Sequence, residues 1–525
     1  MIELTGQTLT IEDLVAIARH GARVAPLSET VRARMQPTCT WVEESIRQRS
    51  EAIYGVNTGF GSLATQRIAP EEARKLSRNV ILACVSGVGP PLPAEIVRGM
   101  MLIRANVFAK GHSGARPIVA QTLVDMLNAG VTPFVPRKGS LGASGDLAPS
   151  AHVAVVMTRD VEDGDGGYSG QAWLGDELMS GAEAVARAGI ERIVPEAKEG
   201  LSLTNTTDFM VAAGALATHD AENLVHHAEI AAALSLEALL GVSEAFDPAL
   251  HAAAGQPGQA RTAADMRALI EGSQLVDSAP ERVQDAYSLR CIPQVLGPVR
   301  DMLAFLRERF ATALNAAIDN PLIFPNDAQG ASHKALSGGN FHGQGPAMWL
   351  DMLGIALAAV GNIAERRVFR LLTPELSSGL PSMLVPTSGL DSGLMMPQYT
   401  AAALVSDNKT LAHPDSVDSI PSCANQEDYV SMGANSARHS LEILDNVRHI
   451  IAIELLTAVQ AVDLRPKGPA RLGRGTAAAY AKTREQVAFL EHDRELTPDI
   501  EALVKLIRGN ELLEVVRGAT EADLN

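Results

Sequence analysis

Long runs of helical periodicity constrain this chain more than anything else in it: Ile96 to Lys110, Ile118 to Asn128, Phe209 to Leu240, Val299 to Ala317, Gly345 to Leu372 and Asn435 to Val462. Several exceed the roughly 8–20 residues of an ordinary globular helix. They are rich in alanine and apolar on more than one side, so no single face is left for water and each must be buried among other helices. The expected fold is therefore mainly α, a long central helix bundle with a smaller mixed N-terminal part. Aromatic residues are only 4% of the 525, so the core has to be built from Ala, Leu, Val, Ile and Met. A soft boundary near 200 divides an N-terminal domain, 1–200, from a long-helix domain, 201–525. Helices this apolar also predict self-association.

Strand signals are few, and Val131 to Val135 is the clearest. Glu162 to Gly170 and Phe324 to Ser332 read as exposed turns; the first lacks the register and closing glutamate of a calcium loop. The excess of 61 acidic over 44 basic residues gives a net charge of −17, which disfavours nucleic acid and anionic membrane as partners. Ala347 to Ile363 is lipid-like in composition, but it contains Asp351 and runs into Glu365, Arg366 and Arg367, which predicts a buried core helix. The first residues carry neither a basic start nor an apolar signal segment. The four cysteines, Cys39, Cys84, Cys291 and Cys423, show no pairing or metal spacing. Both observations predict a cytoplasmic protein. His226, His227 and His413 lack carboxylates or cysteines at ligand spacing, so no metal is expected.

The segment 139–152, Gly-Ser-Leu-Gly-Ala-Ser-Gly-Asp-Leu-Ala-Pro-Ser-Ala-His, can react with itself. A glycine nitrogen is unhindered, so Gly145 N can attack the Ala143 carbonyl if a tight turn brings them together. Loss of two waters, one from the ring and one from Ser144, leaves a methylidene-imidazolone. That ring is an electrophile, which no ordinary side chain supplies. In this context the segment resembles the cofactor-forming segment of the histidine/phenylalanine/tyrosine ammonia-lyase family. Tyr54 to Gly61, Asn205-Thr-Thr, Gln284 to Cys291, Ser337 to His342 and Asn425-Gln-Glu-Asp428 resemble the family's other motifs, in family order, and cover nearly the whole chain.

The resemblance implies a carbon–nitrogen lyase acting on an aromatic amino acid, with a cofactor formed from Ala143, Ser144 and Gly145, no metal, and a homotetramer whose sites are shared between subunits. It makes Tyr54 the catalytic base that takes a β-proton and Tyr287 a second catalytic residue of the site. Arg290, whose planar guanidinium suits a carboxylate, becomes the substrate anchor. Tyr287 lies three residues before it, on the same face if that stretch is helical. Asn205, Gln284 and Phe341 match positions that contact cofactor or substrate.

Substrate choice is read from Glu427 and from Ala83-Cys84. Asn-Gln-Glu-Asp resembles the histidine branch, where the glutamate faces an imidazole. Histidine-type members carry a histidine at the place of Cys84, and tyrosine-type members carry one at the place of Ala83; this chain has neither. Asn205-Thr206-Thr207 also departs from the usual Asn-Gly-Thr. The expected substrate is histidine or tyrosine, with phenylalanine elimination and a 2,3-aminomutase outcome as alternatives. A non-catalytic helical assembly is the reading from another class, and the presence of Ser144, Tyr54 and Arg290 argues against it.

Overall fold

Local chemistry starts and stops the helices. Thr10 accepts the Asp13 N–H while the Asp13 carboxylate accepts the Thr10 N–H, a reciprocal cap that opens Ile11–His20, and Gly21 closes it at φ 67°. The computed structural model describes residues 1–48, 51–162, 167–325, 334–520 and 524. Among them the α-helices dominate, the longest being Asp208–Ala238, Gly433–Asp463, Gln344–Leu372 and Ile292–Ala313. The chain is mainly α, as its periodicity predicts.

The predicted helices are found within a residue or two of their expected ends, with one correction. The run expected from Val299 to Ala317 is the helix Ile292–Ala313. Pro298 lies inside this helix, where it removes one backbone donor without ending the element. The helix Gln344–Leu372 is long and apolar enough to cross a membrane. Its residues Ala347, Leu350, Leu353, Leu357, Val360, Ala364 and Leu371 are buried within the protein, including the stretch expected to be a core helix.

The expected strand appears as Val131–Pro133, the edge of an antiparallel three-stranded sheet with Gln171–Leu174 and Glu177–Ser180. Of the turns predicted at 162–170 and 324–332, residues 163–166 and 326–332 lie outside the described residues.

The chain divides into two compact units. The first comprises Met1–Leu216, Arg307–Asp351 and Pro414–Arg438. In it the helix Ala94–Ala109 packs on Pro117–Ala129 and Ile11–His20, and two buried ion pairs tie distant segments together: Arg104 grips Asp208 bidentately at 2.7 and 3.0 Å, and Lys198 meets Asp319 at 3.2 Å. The second comprises Ala217–Leu306, Met352–His413 and His439–Asn525. There Arg474–Gln486 packs on Glu511–Ala519, and Arg367 grips Glu454 with both partners fully buried.

Candidate active site

The segment 139–152 forms a tight turn in the first unit and then enters the helix Leu147–Met157. Ser140 Oγ donates to the Gly145 carbonyl at 3.1 Å and accepts the Gly142 N–H at 3.2 Å, which cinches the turn across its mouth. Gly142 and Gly145 both have φ +73°, a region costly for any residue with a Cβ. A Cβ on Gly145 would lie 1.7 Å from the Thr206 carbonyl oxygen, and one on Gly142 would lie 2.1 Å from Ser431 Oγ. Glycine is therefore required on both counts, and Gly145 N is left free of side-chain hindrance. Asp146, fully buried, accepts the Met210 N–H at 3.0 Å. Burial pushes its carboxyl up to about 7 with help from the charge on Asp208, against the pull of the Met210 and Phe209 N–H groups.

Both oxygens of Ser144 are engaged. Its carbonyl accepts from Asn205 Nδ2 at 2.8 Å, and its hydroxyl donates to Glu427 Oε1. The other carboxylate oxygen of Glu427 accepts from Ser422 Oγ at 2.9 Å. Ser422 and Glu427 also exchange backbone hydrogen bonds of 2.9 and 3.3 Å. Between them Cys423, Ala424 and Asn425 hold φ of 50°, 52° and 64°. Left-handed backbone at non-glycine residues costs on the order of 1–3 kcal/mol each and tends to gather at functional sites. The strained turn delivers Glu427 to Ser144.

A second loop closes on this one. The Tyr54 hydroxyl accepts the Gly61 N–H at 3.1 Å, the Tyr54 ring meets Phe60 edge-on, and Ser62 N donates to Cys423 Sγ at 3.3 Å. Burial raises the Tyr54 phenol above its ordinary pKa; the Gly61 N–H opposes this, and the charges of Glu427 and Cys423 add to it. Cys84, half-buried at the end of the helix Ala73–Cys84, is pushed up to about 11, first by burial and then by Glu427, so it is a neutral thiol. Ala83 is exposed and Phe341 half-buried, with the Phe341 carbonyl facing Gly145. The unusual Thr206 is absorbed locally: its hydroxyl accepts the Asp208 N–H at 3.0 Å and meets Ser150 Oγ at 3.1 Å.

Thus Tyr54, Cys84, Ser144, Asn205, Phe341 and Glu427 all belong to the first unit. Gln284, Tyr287 and Arg290 belong to the second. Gln284 and Tyr287 are exposed there, Tyr287–Arg290 is a helical turn, and the Arg290 guanidinium lies 4.6 Å from the Tyr287 ring centroid, as the three-residue spacing predicts. Arg290 Nε is buried without a hydrogen-bond partner.

The reading of His226 as remote from carboxylates needs correction. His226, Glu229 and Asp265 in the second unit bring ligand atoms within 4.8 Å of one another. Asp265 comes from a separate helix, Pro257–Leu269, which spacing along the chain does not reveal. Arg300 occupies the centre of the cluster, 2.5 Å from Glu229, 2.6 Å from Asp265 and 3.2 Å from His226 Nδ1. Its guanidinium supplies the positive charge.

Sequence reasoning missed Ser140, Asp146, Ser422 and Cys423. The first two flank the reactive triplet and could have been found as a hydroxyl and an acid bracketing a glycine-rich turn. Ser422 and Cys423 carried no such signal, because their partners are set by the strained turn and by a loop far away in sequence.

Around Ser144 the structure brings together a glycine nitrogen without side-chain hindrance, a donor on the Ser144 carbonyl and a carboxylate on its hydroxyl. A family model described as aromatic amino acid lyase matches residues 9–485. A histidine ammonia-lyase from Treponema denticola is 45% identical over 99% of both chains. One from Symbiobacterium thermophilum is 48% identical over 97% of both. The crystal structure of histidine ammonia-lyase from Trypanosoma cruzi matches with a TM-score of 0.89 at 37% identity, covering 100% of this chain and 96% of that one. That of a tyrosine aminomutase from Streptomyces globisporus matches with 0.91 at 36% identity, covering 100% of each.

Proposed function

Because the chain belongs to the aromatic amino acid lyase family and is a carbon–nitrogen lyase, we propose that it removes ammonia from L-histidine to give urocanate. What carries this reading is the setting of Ser144, held between Asn205 and Glu427 in a turn that only glycine can flank. Ala143, Ser144 and Gly145 would hold a methylidene-imidazolone formed from themselves, and that group supplies an electrophile able to make the substrate amine a better leaving group. Asn205 Nδ2 draws electron density from the Ser144 carbonyl. Arg290 grips the substrate carboxylate through two parallel N–H bonds, which fixes geometry before bonds break.

Glu427 selects the ring. Its carboxylate is half-buried, and a ring that covers it without donating an N–H would leave it desolvated and unpartnered at a cost of about 1–3 kcal/mol, so it favours a ring that can donate. The neutral Cys84 thiol supplies no competing charge. Tyrosine, which the pocket residues leave open, ranks lower, since the histidine ammonia-lyases are 45% and 48% identical and the tyrosine aminomutase 36%. Tyr54 removes the β-proton as phenolate. Burial and the charge on Glu427 keep that form scarce at neutral pH, so turnover rises toward alkaline pH.

The working form is a homotetramer with sites completed by neighbouring copies. Large apolar side chains left exposed on the long helices, among them Phe305, Met348, Ile355 and Phe369, support it. Ultraviolet assays for urocanate, coumarate and cinnamate, with chromatography for β-amino acids, test the reaction. Urocanate is expected to form fastest, and faster cinnamate formation or a β-amino acid as main product would overturn the reading.

A further inference from the structure

Glu427 and Ser144 are 283 residues apart in sequence, yet the hydroxyl of one donates to the carboxyl of the other. That hydroxyl is the group that must leave if residues 143–145 form the electrophile. Glu427 is held for this contact: Ser422 Oγ occupies its Oε2, two backbone hydrogen bonds pin its turn, and Oε1 is turned to Ser144. Among the described residues the Ser144 hydroxyl bonds to Glu427 and to neither Asp146, which receives the Met210 N–H, nor Tyr54, whose hydroxyl receives the Gly61 N–H.

We infer that Glu427 acts before any substrate arrives, as the acid that places a proton on the departing Ser144 oxygen when the chain dehydrates itself. The inference rests on the reading above that residues 143–145 form the electrophile. In the step, the Cα–H and Cβ–Oγ bonds of Ser144 break and the Cα–H electron pair becomes the second bond of Cα=Cβ. The Glu427 carboxylate takes up a proton from solvent and passes it to Oγ, which leaves as water. The Cα proton passes to solvent, so the carboxylate is regenerated and the net change is loss of one water. Asn205 on the Ser144 carbonyl eases removal of the Cα proton by stabilising the charge that builds on that oxygen. Once the hydroxyl has gone, Glu427 Oε1 has lost its partner and turns to the ligand. One carboxyl serves two tasks in succession.

Intact-mass spectrometry of freshly purified full-length protein tests this without any assay of turnover. Wild type is expected to be lighter than its sequence by two waters. Glu427→Gln and Glu427→Ala are expected to keep the Ser144 hydroxyl in most molecules and so to fall short by one water at most. Glu427→Asp, which keeps the acid, is expected to lose both waters, as is Asp428→Asn, which removes a neighbouring exposed charge. Circular dichroism checks that all four variants are folded, and the Asp variant separates the loss of the acid from damage to the loop. Full loss of two waters in Glu427→Gln and Glu427→Ala would overturn the inference while leaving the proposed reaction standing. A wild-type chain of full mass would remove the premise and the inference together.

Discussion

Two acidic clusters in this protein look alike as lists of residues and differ in what answers them. In the second unit, Glu229 and Asp265 are buried around the Arg300 guanidinium, and each carboxylate has a cation within 2.6 Å. In the first unit, Glu427 faces the hydroxyls of Ser144 and Ser422, and among the described residues no cation lies within ion-pair distance of it. An acid closed by a buried guanidinium is satisfied, and removing one partner chiefly costs stability. An acid held by hydroxyls alone, beside a turn of left-handed non-glycine residues, has no cation to answer its charge. On the proposed reaction, the Arg300 cluster is structural and the Glu427 cluster is the working one.

The largest effect should come from the working cluster. Ser144→Ala is expected to lower turnover by roughly 10³-fold or more, the scale on which removing a covalent-catalysis group acts, while the circular dichroism spectrum is retained. Steady-state kinetics decides it, and activity within tenfold of wild type would break the comparison at its stronger end. The second test is the reverse case. Arg300→Leu leaves two buried carboxylates facing each other and is expected to cost about 3–5 kcal/mol, whereas Glu427→Gln should cost under about 1 kcal/mol, the worth of an ordinary hydrogen bond. Thermal midpoints of both variants measured side by side test this, and a larger drop for Glu427→Gln would invert the assignment.

These two clusters also mark how far the sequence could be read. The helices were legible because periodicity is local: Asp208–Ala238 and Gln344–Leu372 lie within two residues of their expected ends. Ile292–Ala313 was not, since a proline inside a helix carries the same local signal as one that ends it. Motif context singled out Tyr54, Ser144, Asn205 and Glu427, and the structure places all four in the first unit. Their partners were not legible. Ser144 to Glu427, Ser62 to Cys423 and Glu229 to Arg300 each join segments brought together only by folding, and a one-dimensional spacing rule is blind to such pairs.

Smaller effects sharpen the contrast. Asn205→Ala removes the donor to the Ser144 carbonyl and is expected to cut kcat by about 10²-fold, the usual worth of one such donor, with little change in thermal midpoint; an unchanged kcat would free Asn205 from the working cluster. The pH profile reads the state of Tyr54. A base acts deprotonated, and burial together with Glu427 raises this phenol above the ordinary value of 10.0, so kcat/KM should still be climbing with pH as it approaches the tyrosine range. A plateau reached near neutrality would contradict the assignment of Tyr54 as base. The smallest effect is expected at the pocket wall. Cys84→His should raise the rate with histidine relative to tyrosine by a few-fold, about 1 kcal/mol of added discrimination, as judged from the two ultraviolet assays, and an equal change in both would show that Cys84 does not face the ring.

The central claim is that the working cluster remakes its own chain. Intact mass, measured on a wild-type preparation shown to be active, tests it most directly. The account predicts a chain lighter than its sequence by two waters, and Ser144→Ala should lack the water that comes from the serine. An active wild-type protein of full, unmodified mass would contradict it.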